Sequence, residues 1–394
     1  MWLQFIKKVS PKIIELILLM ISALAILHFK AQTSSEGLFI KEYIHSDELN
    51  VRSKIAIIFR SGLGDKSSAL TFAESAYQRG YDILVIGNVP DKRDISVIPN
   101  KKSFFRKIYA CREHLESFQP SLILSFHDYV KTHPKTLSVL MLTNPEFFLN
   151  DACNYHIYPL LYQYDLLLVG ASETYGRRIV ADYPSMNGKV IQGFHTTNPI
   201  ERDAFIDTKI QKIFFCGDLW DPLRKSPAYI HLYKQLDEKG LLSVYGPSAT
   251  WQSYVHSYRG MAPFDERAFL GTIHQYQAAL VLHSAMHYKN NIPSARIFEC
   301  AAAKVPIICD RMPLIEQIFG DNILYISVST DRNTLNDVFE QVYSHWQWII
   351  SHPVEAQQKS QNAYQIMMQK YSINQQWTKI EEMLEDSQTI HHIQ

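Results

Sequence analysis

The densest chemistry in this 394-residue chain lies in the run Asn291-Ile292-Pro293-Ser294-Ala295-Arg296-Ile297-Phe298-Glu299-Cys300-Ala301-Ala302-Ala303-Lys304. Ser294 is suited to cap a helix, which would aim the positive end of the helix dipole at whatever lies before it. Glu299 falls among Ile, Phe, Cys and Ala, and a carboxylate in so apolar a helix needs a partner. Two partners fit. Arg296, one turn back, would make an ordinary i,i+3 ion pair, whereas ligand hydroxyls would make Glu299 a binding residue.

Two further runs carry glycine beside charge. In Gly217-Asp218-Leu219-Trp220-Asp221-Pro222-Leu223-Arg224-Lys225 a glycine ends a strand-like segment and two cations follow. Arg224 and Lys225 could neutralise a diphosphate, as a fork and as a point charge, or form a solvated pair bridging Asp218 or Asp221. Gly62-Leu63-Gly64 also follows a strand-like segment. It lacks a third glycine and an acidic residue at dinucleotide spacing, so it is either a close-approach turn at the cleft or merely a tight one. His127, in Ser125-Phe126-His127-Asp128, would emerge at the end of another strand, where an imidazole can accept or position a proton. His195 is a rival for that role.

These residues need elements to position them. Ile55–Phe59, Tyr81–Ile86, Leu122–Phe126 and Leu166–Val169 read as buried strands, and Ala69, Phe72, Ala73 and Ala76 share one helical face. A strand, glycine turn, helix and strand make a β-α-β unit and hence a parallel sheet. A second series starts near Lys209, with strands at Ile213–Cys216, Leu242–Tyr245, Ala278–Leu282, Val305–Cys309 and Asn322–Val328. The fold class is therefore α/β, with two Rossmann-like domains facing a cleft. At the tail, Ile373, Trp377, Ile380 and Leu384 recur at helical spacing, which suits a helix capping the second domain or crossing back to the first.

Composition narrows the class. Thirty-nine Lys+Arg balance 39 Asp+Glu, which argues against a sequence-independent nucleic-acid binder. Five cysteines, odd in number and widely spaced, lack the pattern of a structural zinc site or a disulfide scaffold, and no N-x-[ST] sequon occurs. No clustered ligand set points to a metal. The N-terminus departs from a soluble pattern: Lys7, Lys8 and Lys12 precede Ile13–Phe29, seventeen residues broken only by Glu15, Ser22 and His28. That segment is marginally short for a span of about 20 residues. A hydrophobic anchor helix is the leading reading, with a signal peptide ending near Ala23-Leu24-Ala25 and a buried helix as alternatives.

The run Arg296–Asp310, followed by Pro313-Leu314-Ile315-Glu316-Gln317-Ile318-Phe319, resembles the donor-site helix of group 1 glycosyltransferases, which are two-Rossmann enzymes of the GT-B type. It is similar to the branch resembling spore-maturation glycosyltransferases, and Val244-Tyr245-Gly246 and Gly260 fall where that branch has its own tyrosine and glycines. The resemblance covers about Phe214–Phe319 and implies a nucleotide-diphosphate sugar as donor substrate, with no cofactor and no metal. It implies that Glu299 binds the ribose hydroxyls and that Arg224, Lys225 and the backbone at Ser294 hold the diphosphate. Gly217, Tyr245, Gly246 and Arg296 complete the donor side. Retaining members often carry a second glutamate eight positions earlier, where this chain has Asn291.

The expected organisation is an anchor helix over 1–30, a connector over 31–53, an acceptor domain over 54–205, a nucleotide-sugar domain over 206–362 and a terminal helix over 363–394. The expected partners are a nucleotide sugar, a lipid-linked or envelope glycan acceptor and a membrane held through 13–29 on the cytosolic face, with no nucleic acid. A non-catalytic nucleotide- or sugar-binding protein and a nucleotide-sugar 2-epimerase are the rival functions.

Overall fold

The protein is described by a computed structural model covering residues 38–44, 54–59, 63–89, 112–126, 136–142, 161, 164–198, 209–219, 221–246, 251–263, 266–328 and 335–393. The apolar segment 13–29, Gly62 and His127 lie outside the described residues, and so does the join between the two expected domains.

The first sheet has seven strands: β1 (Leu38–Ile44), β2 (Lys54–Phe59), β3 (Asp82–Val89), β4 (Leu122–Phe126), β5 (Leu137–Leu142), β6 (Leu166–Val169) and β7 (Val190–Gln192). Their order is β1-β3-β2-β4-β5-β6-β7, and every pair except β1–β3 is parallel. Ile55–Phe59 is buried residue after residue with no alternation, as a strand covered on both faces must be. Helix α1 (Leu63–Gln78) buries Ala69, Phe72, Ala73 and Ala76 completely, so small residues let it lie close on the sheet. It ends before Gly80, whose φ of 84° is the left-handed value that favours glycine. Helices α2 (Arg112–Phe118) and α3 (Glu173–Asp182) complete this half.

The expected connector over 31–53 contains a strand instead. Residues Leu38–Ile44 pair antiparallel with β3 along their whole length, from Leu38 opposite Val89 to Ile44 opposite Ile83. Leu-Phe-Ile and Tyr-Ile flank Lys41-Glu42, a composition that suits a strand completing an open sheet edge.

The second sheet is wholly parallel, in the order β12-β11-β10-β8-β9. Its strands are β8 (Ile210–Cys216), β9 (Leu242–Tyr245), β10 (Tyr276–Val281), β11 (Ile307–Asp310) and β12 (Leu324–Ile326). Around it pack α4 (Pro227–Glu238), α5 (Glu266–His274), α6 (Ala285–Asn290), α7 (Ala295–Ala302), α8 (Pro313–Phe319), α9 (Leu335–Ser351) and α10 (Pro353–Ile366). A π-helical turn, Met367–Tyr371, then leads into α11 (Ile373–Ile393).

Helix α11 leaves the second half and joins the core of the first, where Ile373, Trp377 and Ile380 are buried beside Phe72 and Ala73. Trp377 donates its indole N–H to the Phe72 carbonyl at 3.0 Å. Arg79 pairs with Glu381 at 2.5 Å and also donates to Thr378, while the Tyr81 hydroxyl donates to Glu381 at 2.7 Å. Among the described residues, no helix is long and apolar enough to cross a membrane.

Candidate active site between the two sheets

Strands β8 and β9 end side by side on two glycines, and at the second the fit leaves no room for a side chain. A Cβ on Gly246, whose φ is +150°, would fall well inside contact distance of the Gly217 carbonyl and 2.8 Å from Trp251 Nε1. That indole N–H donates to the same Gly217 carbonyl at 2.8 Å, and the Tyr258 hydroxyl donates to the Gly246 carbonyl at 2.7 Å. Both glycines border a cavity of about 260 Å³ lying between the two sheets. Tyr245 points elsewhere, with its hydroxyl 3.0 Å from that of Tyr276 and its ring against Phe214.

Helix α7 supplies the charges of this cavity. Arg296 Nη1 and Glu299 Oε2 lie 2.7 Å apart, at i,i+3, and the guanidinium sits over the Phe269 ring with Cζ 4.4 Å from its centroid. The pair is thus the Coulombic one that spacing allows. It is not closed to ligands, because Arg296 Nε has no hydrogen-bond partner beside the ion pair. Burial pushes the Glu299 carboxyl above its ordinary range, and Arg296 opposes that shift. A partly desolvated carboxylate lining such a cavity is suited to accept from hydroxyls as well as from its cation. Ser294 stands at the N-cap position with φ −76° and ψ 154°, but its hydroxyl makes no capping bond and stays unpartnered.

Arg224 and Lys225 do not border the cavity. Arg224 donates to the carbonyls of Asp218 at 3.3 Å and Leu282 at 3.0 Å, so it ties two strand ends together and bridges neither aspartate carboxylate. Asp221, buried at 1% exposure, spends Oδ1 on the amides of Leu223, Arg224 and Ala285. Lys225 is exposed nearby. Gly64 lies in the first turn of α1, whose later residues Ser67, Ser68 and Thr71 form part of the opposite wall with His195.

Asn291 is turned away from the cavity. It occupies the left-handed region at φ 52°, closes α6, and accepts the Leu314 amide of α8 on Oδ1 at 2.9 Å. One buried cluster escaped the sequence reading altogether. His283 gives both its backbone amide (2.8 Å) and its Nδ1 (2.6 Å) to the Asp310 carboxylate, with both side chains at 0% exposure. Cys309 adjoins them, and the three form a metal-like grouping, but His283 Nδ1 and Asp310 Oδ1 already satisfy each other. His287 lies beside His283, and burial, with His283 and Arg224 adding to it, lowers its pKa to about 3. Single residues of such a pair carry no signal in sequence, because 27 positions separate them.

Comparison with known proteins bears on this arrangement. Residues 224–382 match a family described as glycosyl transferase-like. Sucrose-phosphate synthase from Thermosynechococcus elongatus aligns with a TM-score of 0.54 at 10% identity, covering 85% of this chain and 100% of that one. The trehalose-6-phosphate protein from E. coli bound with UDP-2-fluoro glucose gives 0.54 at 12% identity, covering 84% and 99%. A glycosyltransferase from Rickettsia africae also gives 0.54, at 10% identity and 85% and 98% coverage. No curated protein matches the chain. The fold is the two-sheet α/β arrangement of GT-B proteins, and its second half is similar to the glycosyl transferase-like family.

Proposed function

We propose that the protein is a glycosyltransferase that moves a sugar from a nucleotide-diphosphate donor to a hydroxyl acceptor in the cleft between its sheets. The observation that carries this reading is the half-buried Arg296–Glu299 pair lining the interdomain cavity, with Arg296 Nε unpartnered, on a helix inside the segment that matches the family. A protein of the same fold binds UDP-2-fluoro glucose, which is a donor of this class.

In this reading Glu299 accepts from the ribose hydroxyls, while Arg296 on Phe269 holds Glu299 charged. The α7 N-terminus at Ser294 meets the diphosphate as it leaves, and the cations Arg224 and Lys225, which lie outside the cavity, reach it only by moving. Arg224 must exchange its two carbonyl acceptors for phosphate oxygens to do so. Gly217 and Gly246 shape the floor, with Tyr245 supporting it from behind through Tyr276 and Phe214, and the absent side chains at the two glycines let a ligand approach the backbone. Leaving-group charge is met by protein donors, so this mechanism uses no metal and no cofactor. The Arg296-Ile297-Phe298-Glu299 run supports the spore-maturation-like branch. The acceptor is a lipid-linked or envelope glycan, with residues 13–29 holding both domains on the cytosolic side of a membrane.

Calorimetry with UDP-, GDP-, ADP- and CMP-sugars, followed by assay of nucleotide diphosphate release, tests the proposal. One donor should bind and turn over. Binding without turnover would leave a nucleotide-sugar-binding protein, and turnover to an epimer with no acceptor would leave an epimerase. Failure of every donor to bind would end the reading.

A further inference from the structure

We infer that Asp218 is the residue that reads the transferred sugar, its carboxylate accepting hydrogen bonds from hydroxyls of an uncharged glycosyl group. This rests on the glycosyl-transfer reading above and assigns a contact that reading leaves open, since the Asn291 side chain is spent on the Leu314 amide.

The loop after β8 carries two aspartates, and the structure gives them opposite work. Asp221 is buried, and its Oδ1 takes the amides of Leu223, Arg224 and Ala285 at 2.9, 3.3 and 3.2 Å. It holds the loop in shape. Asp218, three positions earlier, borders the interdomain cavity and is only partly buried. Among the described residues, no hydrogen bond or ion pair engages its carboxylate, and neither of its oxygens is sealed from solvent. Arg224, the cation nearest in sequence, bonds the backbone carbonyl of Asp218 and leaves its side chain alone.

The backbone that carries this free carboxylate is held on both sides. The Gly217 amide donates to the Tyr245 carbonyl at 3.1 Å, and the Gly217 carbonyl accepts from Trp251 at 2.8 Å. The Asp218 carbonyl accepts from Arg224 at 3.3 Å, and the same guanidinium reaches the Leu282 carbonyl, just past β10, at 3.0 Å. The ends of three neighbouring strands are thus tied together around Asp218. A binding group on so fixed a backbone has little freedom left to lose when it meets a ligand.

Charge decides what the carboxylate can meet. Among the described residues bordering the cavity, Arg296 and Glu299 pair with each other, which leaves Asp218 as the acid without a counterion. Like-charge repulsion in a partly enclosed site makes a diphosphate or a uronic acid a poor partner for it. A divalent cation wants several oxygens, and Asp218 belongs to no group of three metal-ligating side chains among the described residues. A carboxylate only accepts, so its partner must donate without bringing negative charge. The hydroxyls of a neutral sugar do both.

The test is calorimetry on the full chain, with each nucleotide sugar of the panel above measured beside its own sugar-free nucleotide. Asp218→Asn keeps the size of the side chain and removes its charge. It should weaken binding of the nucleotide sugar by about ten- to a hundredfold, the loss of a hydrogen bond to a charged acceptor. The sugar-free nucleotide should bind the variant as tightly as the wild type or more tightly, because a negative neighbour of the diphosphate is gone, and that binding also shows the variant to be folded. The wild type should prefer the neutral glycosyl form over the corresponding uronic acid on the same nucleotide by about tenfold or more, and Asp218→Asn should narrow that preference. Equal weakening of nucleotide sugar and sugar-free nucleotide would overturn the inference, as would an unchanged affinity for the nucleotide sugar. Loss of donor binding on adding EDTA would give the carboxylate to a cation and overturn it too. Each of these leaves the donor site in place. A wild-type chain that binds no nucleotide sugar would also overturn the inference, and only that result would remove the glycosyltransferase reading with it.

Discussion

Asn291 accepts the backbone amide of Leu314 at 2.9 Å, which commits its side chain to the first turn of α8. The resemblance to group 1 glycosyltransferases implies that retaining members often have a glutamate at this place, and here the position serves a different end. The residue sits at φ 52°, where asparagine is tolerated better than other side chains, and its amide oxygen satisfies one of the orphan donors of a neighbouring helix. Asn291→Ala removes the cap and keeps the strain, so it should cost about 1–3 kcal/mol in denaturant unfolding. Donor affinity of the folded fraction should hold within a few-fold. A large selective loss of donor affinity would place Asn291 in the binding site after all.

Glu299→Gln keeps shape and removes charge. If the carboxylate accepts from the donor's hydroxyls, the loss of a charge-assisted bond should weaken donor binding by about 1.5–3 kcal/mol, roughly ten- to a hundredfold. Arg296→Lys offers a contrast: it retains the cation but loses the planar contact with Phe269, and should weaken binding less. Unchanged donor affinity in Glu299→Gln would reduce the pair to an intrahelical ion pair.

The strands of both sheets were legible because parallel strands buried on two faces read as apolar runs; Ile55–Phe59 and Leu122–Phe126 needed only local pattern. Gly217, Gly246, Arg296 and Glu299 stood out for the same local reason, by type and spacing. The strand β1 was not legible, since a seven-residue edge strand announces itself only through its pairing with β3. Nor was the Gln376 clamp on Phe194, whose partners are 182 positions apart and whose amide looks like any surface glutamine until α11 crosses back. Arg224 shows the converse limit. Its type and place suggested a phosphate ligand or an aspartate pair, yet its hydrogen bonds here go to carbonyls.

Gln376, at 2% exposure, holds the connection between the two halves through paired bonds to one residue's amide and carbonyl. Gln376→Ala would leave a buried N–H and a buried C=O without partners, at a cost of about 1–3 kcal/mol for each group left unsatisfied. Gln376→Glu restores the acceptor only. Thermal unfolding should therefore rank wild type above Gln376→Glu and both above Gln376→Ala. A Gln376→Ala protein with wild-type melting behaviour would show that the clamp is incidental.

His287 gives the pH dependence its sign. Burial first, with His283 and Arg224 adding to it, lowers its pKa from 6.5 to about 3, while its Nδ1 lies 2.6 Å from Ser284 Oγ. A histidine that stays neutral in the folded chain but protonates near pH 6.5 when unfolded makes the unfolded state bind more protons between those two values. Its contribution to stability is therefore complete above about pH 6.5 and is lost as pH falls toward about 3, at no more than about 1.4 kcal/mol per pH unit. Carboxylates elsewhere also titrate in that window, so the informative quantity is the difference between two chains and not the slope of one. His287→Gln keeps a polar group near Ser284 and cannot become charged. Denaturant unfolding from pH 7 to pH 4 should show a shallower decline for His287→Gln than for the wild type, whatever their stabilities at pH 7. Parallel declines would mean that α6 opens enough in the folded chain for His287 to protonate freely.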